Sequence, residues 1–332
     1  MNLTFCLAED RAGAEIGLKL AILSLRRHCG QVPVVLYRPA PLPSLVQWLR
    51  GQPQVRLVTE RLPGWRQWDC KPQALLPLLE QDPAGQVVWL DSDLMLAGDP
   101  RPLYDRMSPE TVGITQEPPS QPHQGSELRT RGWELPVGRC LPHTLNSCMV
   151  RFTACHRPLL VRWDALLRDP RYVALAAMNV QERPPAMMSD QDVLNALLGS
   201  REFSGVPLAV FRNGREVLHS GGALAYSATE RVRGLLLRKP VFLHAISLKP
   251  WMVLGHPELR GRWWWWRKLQ QEISPFVAEA RAYAGQVDEP CPWLEDHTLP
   301  GRLLRLAGLG HWALRGLPVS VLAAGLRRGG WA

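Results

Sequence analysis

Over the first ninety residues, apolar and polar positions alternate in a repeating rhythm. Leu3 to Leu7 is a short apolar run, and Ile16 to Leu25 places Ile16, Leu20 and Leu23 at helical spacing. Val32 to Tyr37 (VPVVLY) is strand-like between Gly30 and Pro39, and Ser44 to Leu49 spans one or two helical turns. Val55 to Val58 reads as a strand, Pro72 to Glu80 as a helix opened by its proline, and Val87 to Leu90 (VVWL) as a fourth strand. Strands alternating with helices predict βαβ units around a mostly parallel sheet.

Beyond that point the pattern loosens. Residues 117–125 (EPPSQPHQG) read as a loop that could cover a site. Leu145 to Phe152 (LNSCMVRF) predicts a strand, and Val206 to Phe211 and Val241 to Leu243 two short ones. Pro158 to Leu167 and Asp190 to Leu198 predict helices, the second with Ser189 as N-cap. From about Leu259 the chain turns helical and aromatic, with Trp263 to Trp266 in a row. The change of composition sets the expected boundary: a domain over 1–256 and a helical, Trp- and Arg-rich extension over 257–332.

Composition narrows the class. With 46 % hydrophobic residues among 332, the chain is too apolar to be disordered. No stretch of about 20 apolar residues could span a membrane, and the acidic turn within MNLTFCLAED does not read as a signal peptide. Seven cysteines without a C-x-x-C pair predict reduced, mostly buried thiols in a cytoplasm. The net charge is +9, and only five of the 39 basic residues are lysines. After Asp296 no acidic residue follows, so Arg302, Arg305, Arg315, Arg327 and Arg328 are expected to form an uncompensated basic tail. Such a tail suits a helical cap that buries the tryptophans, or peripheral contact with an anionic membrane at its inner face. No recognised nucleic-acid module is present, so nucleic acid is not an expected partner.

The strongest chemical feature is Asp91-Ser92-Asp93 directly after VVWL. Open α/β sheets bind ligands beyond the carboxyl ends of their strands, and two carboxylates there can hold a divalent cation against a phosphate. A plain turn, a phosphohydrolase of the haloacid dehalogenase type and a nucleotide-sugar transferase all use this pattern. The second usually has the motif near the start of the chain, followed by Thr or Val where Met95 stands here. Neither a Rossmann nor a P-loop glycine motif occurs. Two further segments matter: Ser189-Asp190-Gln191-Asp192-Val193-Leu194-Asn195, and His244-Ala245-Ile246-Ser247-Leu248-Lys249-Pro250-Trp251 after the run VFL. In the latter, the histidine can ligate a metal and the lysine can neutralise a diphosphate.

DSD, DQDVLN and H-x-x-S-x-x-K-P-W, in this order and spacing, resemble the retaining glycosyltransferases of family 8, over roughly residues 1 to 255. That family includes bacterial lipopolysaccharide galactosyl- and glucosyltransferases and glycogenin. The resemblance implies an A-type glycosyltransferase fold, a single Rossmann-like α/β sheet flanked by helices. It implies a nucleotide-sugar donor such as UDP-glucose or UDP-galactose, a glycan or lipid-linked acceptor, and manganese or magnesium as cofactor. Residue by residue, Asp91, Asp93 and His244 resemble the metal ligands and Lys249 the diphosphate contact. Asp190 and Gln191 resemble the catalytic D-Q pair beside the donor sugar. Asn146 resembles the asparagine of the N-S-G strand, Lys71 a lysine ahead of the D-x-D strand, and Ser92 the residue between the two acids. Three positions depart from the pattern. Ser247 and Cys148 stand where glycine is usual, and Ala8-Glu9-Asp10 is a loose match to the turn that holds the base. Crowding at Ser247 or Cys148 would favour the alternative, a catalytically silent nucleotide-diphosphate or membrane-surface binding protein on the same fold.

Overall fold

The computed structural model describes residues 2–66, 68–118, 125, 127–220, 228–236, 239–246, 249–254, 261–306, 311 and 313–328. The chain forms two compact units, each assembled from separated stretches. The first takes Met1–Ala14, Gln31–Ser92 and Arg101–Phe211, and the second Glu15–Gly30, Asp93–Pro100 and Arg212–Ala332.

The first unit is built on a seven-stranded sheet. Its strands are β1 (Leu3–Ala8), β2 (Val34–Tyr37), β3 (Val55–Val58), β4 (Gln86–Leu90), β6 (Val112–Gln116), β7 (Leu145–Thr153) and β8 (Leu208–Phe211), in the spatial order β3-β2-β1-β4-β7-β6-β8. Only β7 runs against its neighbours β4 and β6; the remaining pairs are parallel. Its helices are α2 (Pro43–Leu49), α3 (Lys71–Gln81), α4 (Arg101–Tyr104), α5 (Glu127–Gly132), α6 (Arg157–Leu167), α7 (Pro170–Ala176) and α8 (Asp190–Gly199). Val87 and Trp89 of β4 join a core with Leu75 and Leu79 of α3, Leu160 and Trp163 of α6, and Leu194 and Leu197 of α8. Val88 and Leu90, on the opposite face of β4, are equally buried, which explains why this strand reads as an unbroken apolar run.

The second unit holds a three-stranded sheet, β5 (Leu94–Leu96), β10 (Phe242–His244) and β9 (Val217–His219), with β10 in the middle. Its helices are α1 (Glu15–Cys29), α9 (Ala228–Leu236), α10 (Gly261–Glu272), α11 (Pro275–Ala280), α12 (Leu299–Leu306) and α13 (Leu317–Arg328). The Ser24 hydroxyl of α1 accepts a 3.0 Å bond from the Leu96 amide, tying the helix to β5. Lys19 of the same helix is buried and satisfied by Glu289 at 2.6 Å.

The long apolar runs appear as elements within a few residues of their expected limits. β5, β6 and β9 were not legible. Two of them have only three residues, and VGITQ of β6 mixes glycine and polar residues into the run. Ser189 does precede α8, but its hydroxyl donates to the Asp192 carboxylate at 2.8 Å and accepts no backbone amide. Two of the five tail arginines, Arg305 and Arg315, are compensated, and the side chains of Arg327 and Arg328 lie outside the described residues. Asp296, the last acid, accepts from Arg315 at 2.5 Å and Arg281 at 2.8 Å, and Arg305 reaches it at 3.7 Å. Residues read as free in sequence thus converge on the preceding turn. None of the described tryptophans of this run is fully buried. In α10, Lys268 and Leu269 face inward, whereas Trp264 and Trp266 are half-buried, Trp265 is 41 % exposed, and the Trp263 side chain lies outside the description. Cys140 and Cys155 are exposed, while Cys6, Cys29, Cys70 and Cys148 are buried. Most of the loop over 117–125, and Ser247, lie outside the described residues.

Candidate active site

In the first unit the carboxyl ends of β1 and β4, the amino end of the antiparallel β7 and the start of α8 carry a polar layer. Lys71, the first residue of α3, is 2 % exposed. Its ammonium lies 3.1 Å from both Asp91, just past β4, and Asp190, the first residue of α8. It also donates to the Ser147 hydroxyl at 2.6 Å and to the Ser147 carbonyl at 3.1 Å. Ser147 in turn donates to Asp190 at 3.0 Å, and the Trp89 indole donates to Asp91 at 2.6 Å.

The electrostatics follow from one cation set between two anions. Burial opposes charge on Lys71, but Asp190 and Asp91 outweigh it and raise the ammonium's pKa above its ordinary value. Burial pushes the Asp190 carboxyl up, with Asp91 adding to it, while Lys71 and Ser147 pull it down; the net direction is up. Asp69 lies two residues before Lys71. Its carboxyl is raised to about 7, first by burial and then by Asp190, although the Tyr172 hydroxyl donates to it at 2.9 Å.

A second cluster flanks this layer. Glu117, just past β6, is 4 % exposed and accepts from the Asn146 amide and, at 3.2 Å, from the Gln191 amide. A carboxylate only accepts, so it selects the NH₂ end of both side chains and turns their carbonyl oxygens away. The Asn146 oxygen takes the Cys148 amide at 2.8 Å. The Asn195 side chain bridges Leu145 of β7 and the Gln191 carbonyl, fixing α8 against the strand. Asp192 pairs with buried Arg129 at 2.7 Å. The Cys148 thiol lies 3.3 Å from the Thr115 hydroxyl of β6 and is accommodated within the sheet.

At the end of β1, Glu9 accepts from Arg11 at 2.6 and 2.8 Å and from the Ser92 hydroxyl. Burial opposes its charge, but Arg11 prevails and holds the carboxyl below its ordinary value. Asp10 accepts from Arg61 at 2.9 Å.

The middle stretch of the second unit begins at Asp93, which is 5 % exposed. Lys249 donates to its Oδ2 and, at 2.9 Å, to the Ala245 carbonyl, while Nε2 of His244 lies 3.4 Å from its Oδ1. Burial disfavours the Asp93 charge, but Lys249 and His244 more than compensate and hold the carboxyl well below the usual range. On its other side His244 meets His219, with the Nδ1 atoms 2.9 Å apart.

Of the residues expected from sequence, the first unit gathers Lys71, Asp91, Ser92, Asn146, Asp190 and Gln191 at one sheet edge. The second brings together Asp93, His244 and Lys249. The expectation missed Glu117, Ser147 and His219. His219 did leave a signal: EVLH, like VFLH before His244, is an apolar run ending in histidine.

No protein-family model matches the sequence, and no curated protein matches it. Among solved structures, the chain is similar to the galactosyltransferase LgtC in complex with donor and acceptor sugar analogs. Identity is 16 %, with 85 % of this chain and 99 % of that one covered and a TM-score of 0.50. The glycosyltransferase GlyE of Streptococcus pneumoniae TIGR4 follows at 15 % identity, 88 % and 66 % coverage and a TM-score of 0.45. A glycosyltransferase involved in glycosylation of the major capsid of PBCV-1 has 12 % identity, 75 % and 94 % coverage and a TM-score of 0.44. The architecture expected from the resemblance to family 8 is therefore the one observed: the chain has the A-type glycosyltransferase fold.

Proposed function

We infer that the protein is a metal-dependent retaining glycosyltransferase, moving a hexose from a nucleoside diphosphate sugar, UDP-glucose or UDP-galactose, to a glycan or lipid-linked acceptor. The observation that carries this reading is the layer of buried Lys71, Asn146, Ser147 and Asp190, with half-buried Asp91 and Gln191, at one edge of an A-type sheet.

Asp91, Asp93 and His244 are the proposed ligand set for manganese or magnesium. Two carboxylates and one imidazole suit a divalent ion of intermediate softness. The fit has support in the second unit: buried Asp93 already draws a cation, the Lys249 ammonium, to its Oδ2. When bound, the ion would supply Lewis acidity toward the departing phosphate.

The chain's own residues do the rest. Lys249 leaves Asp93 for the donor diphosphate and adds fixed positive charge where negative charge grows. Lys71 and Ser147 hold Asp91 and Asp190 in place before substrate arrives. Glu117 fixes the Gln191 amide, whose carbonyl oxygen then faces the positive charge developing at the anomeric carbon. The bond from that carbon to the phosphate oxygen breaks, and a bond to the acceptor hydroxyl forms on the same face. The acceptor's proton passes to the leaving phosphate.

Thermal unfolding against a panel of nucleoside diphosphates, with and without Mn²⁺, tests the reading. A rise in Tm of several degrees with UDP that requires the metal is expected, since a ligand stabilises only the state it binds. The absence of a shift with every nucleotide would favour the silent alternative.

Membrane contact is part of the same reading, with residues 257–332 as the extension that makes it. No described helix is long and apolar enough to cross a membrane. On α12, however, Leu299, Leu303 and Leu306 are 67, 55 and 82 % exposed at helical spacing, beside exposed Arg302 and Arg305. An apolar stripe edged by arginine suits the headgroup level of an anionic bilayer. Cosedimentation with phosphatidylglycerol vesicles is expected and should fall several-fold in Leu303→Ser/Leu306→Ser. Equal binding to neutral phosphatidylcholine would contradict the charge argument.

A further inference from the structure

We propose that His219 is the positioning residue that decides which ring nitrogen His244 offers to a divalent cation; this rests on the metal-dependent reading above. The small sheet creates the arrangement. β9 and β10 run parallel with His219 directly opposite His244. On the other side of β10, Leu94 of β5 lies opposite His244, and Asp93 immediately precedes it. His244 thus has a polar neighbour at each ring nitrogen: Nδ1 of His219 at 2.9 Å from its Nδ1, and Oδ1 of Asp93 at 3.4 Å from its Nε2. The rings meet edge to face, with centroids 5.1 Å apart and planes at 72°. They are 0 and 5 % exposed, so neither can turn without disturbing the sheet.

Two facing nitrogens of neutral imidazoles share one proton, and only one ring can carry it. In the metal-free protein Nε2 of His244 faces Asp93 at 3.4 Å; with the ring's proton placed there, the bridging proton is left on Nδ1 of His219. A cation at Nε2 of His244 needs the lone pair there. That ring must then carry its proton on Nδ1 and donate it across the bridge, with His219 accepting at Nδ1 and protonated at Nε2. The bridging proton moves from Nδ1 of His219 to Nδ1 of His244, and the proton lost at Nε2 of His244 is balanced by one gained at Nε2 of His219. The pair holds the same number of protons before and after, so the exchange moves protons without changing charge. His219 is the partner that keeps the ring of a metal-binding histidine aimed, a role usually taken by a carboxylate or carbonyl.

Full-length protein carrying ¹⁵N-histidine tests this without any turnover. Each ring should show a single tautomer in the metal-free protein, and both should exchange on addition of Zn²⁺, chosen because it is diamagnetic. Without nucleotide, His219→Phe should weaken Mn²⁺ binding about 10–100-fold. His219→Asn, whose carbonyl accepts near the place of Nδ1, should restore most of it. Thermal unfolding of both variants checks that they fold, and if the Phe variant does not, the Asn variant and the wild-type spectra still decide. Unaltered tautomers on Zn²⁺ binding, equal Mn²⁺ affinity in wild type and His219→Phe, or an Asn variant as weak as the Phe variant would each overturn the inference alone. A wild-type protein that binds neither cation would overturn the metal-dependent reading together with it.

Discussion

Asp93→Ala is expected to lower turnover by about a thousand-fold, corresponding to about 4 kcal/mol of lost transition-state stabilisation. The loss should fall on kcat more than on the donor's KM, because Lys249 remains to meet the diphosphate. The side chain is buried beside Lys249 and His244, so its removal leaves an ammonium without its anion. Circular dichroism and thermal unfolding must therefore accompany the kinetics. Near-normal sugar transfer by a folded Asp93→Ala protein would remove the assignment of this site. Addition of more metal should not rescue the variant, whereas a weakened but intact ligand set would respond to it.

The second large effect is on stability. Lys71→Met keeps the volume of the side chain but leaves Asp91 and Asp190 facing each other without their shared cation. Breaking a buried pair in this way costs about 3–5 kcal/mol at neutral pH. The pH dependence has a definite sign. The Asp190 carboxyl is already raised in the folded protein, so its contribution to stability is fully present below its unfolded pKa and is lost as pH rises through the folded one. Without Lys71 it rises further. The gap in Tm between variant and wild type should accordingly shrink as the pH is lowered from 8 toward 5, because Asp190 takes up its proton more readily in the variant. A gap that stays constant, or widens in acid, would show that Lys71 is held by something other than these carboxylates.

Legibility in the sequence followed a physical divide. β1, β2 and β4 were readable because strands buried on both faces must be apolar throughout. Asp91, Asp93, Asp190 and His244 stood out because each lies at or beside the end of an element and belongs to a motif of fixed spacing. Glu117 and His219 were not, because their roles arise from cross-strand neighbours far apart in the chain. Glu117 is brought to Asn146 by the pairing of β6 with β7, and His219 to His244 by a three-residue strand. The same limit misled the reading of the tail. Counting charges along the chain made Arg315 look unopposed, whereas the fold places it 2.5 Å from Asp296.

The interleaving of the two units bears on how the molecule is made. α1 leaves the ribosome early, yet two of the groups that meet it come near the end of translation. Its Lys19 pairs with Glu289, 270 residues later, and Arg27 lies over the ring of Tyr283. At ordinary rates of synthesis that separation is a delay of roughly 15–55 s. Throughout it Lys19, destined for the interior beside Leu18, Leu20 and Ile22, lacks its anion, although β5 can already meet the helix at Ser24. A nascent chain of this kind depends on chaperones more than its size suggests. A protein shortened at residue 256 would keep α1 while losing Glu289 and Tyr283, and should aggregate rather than yield a smaller, working transferase domain.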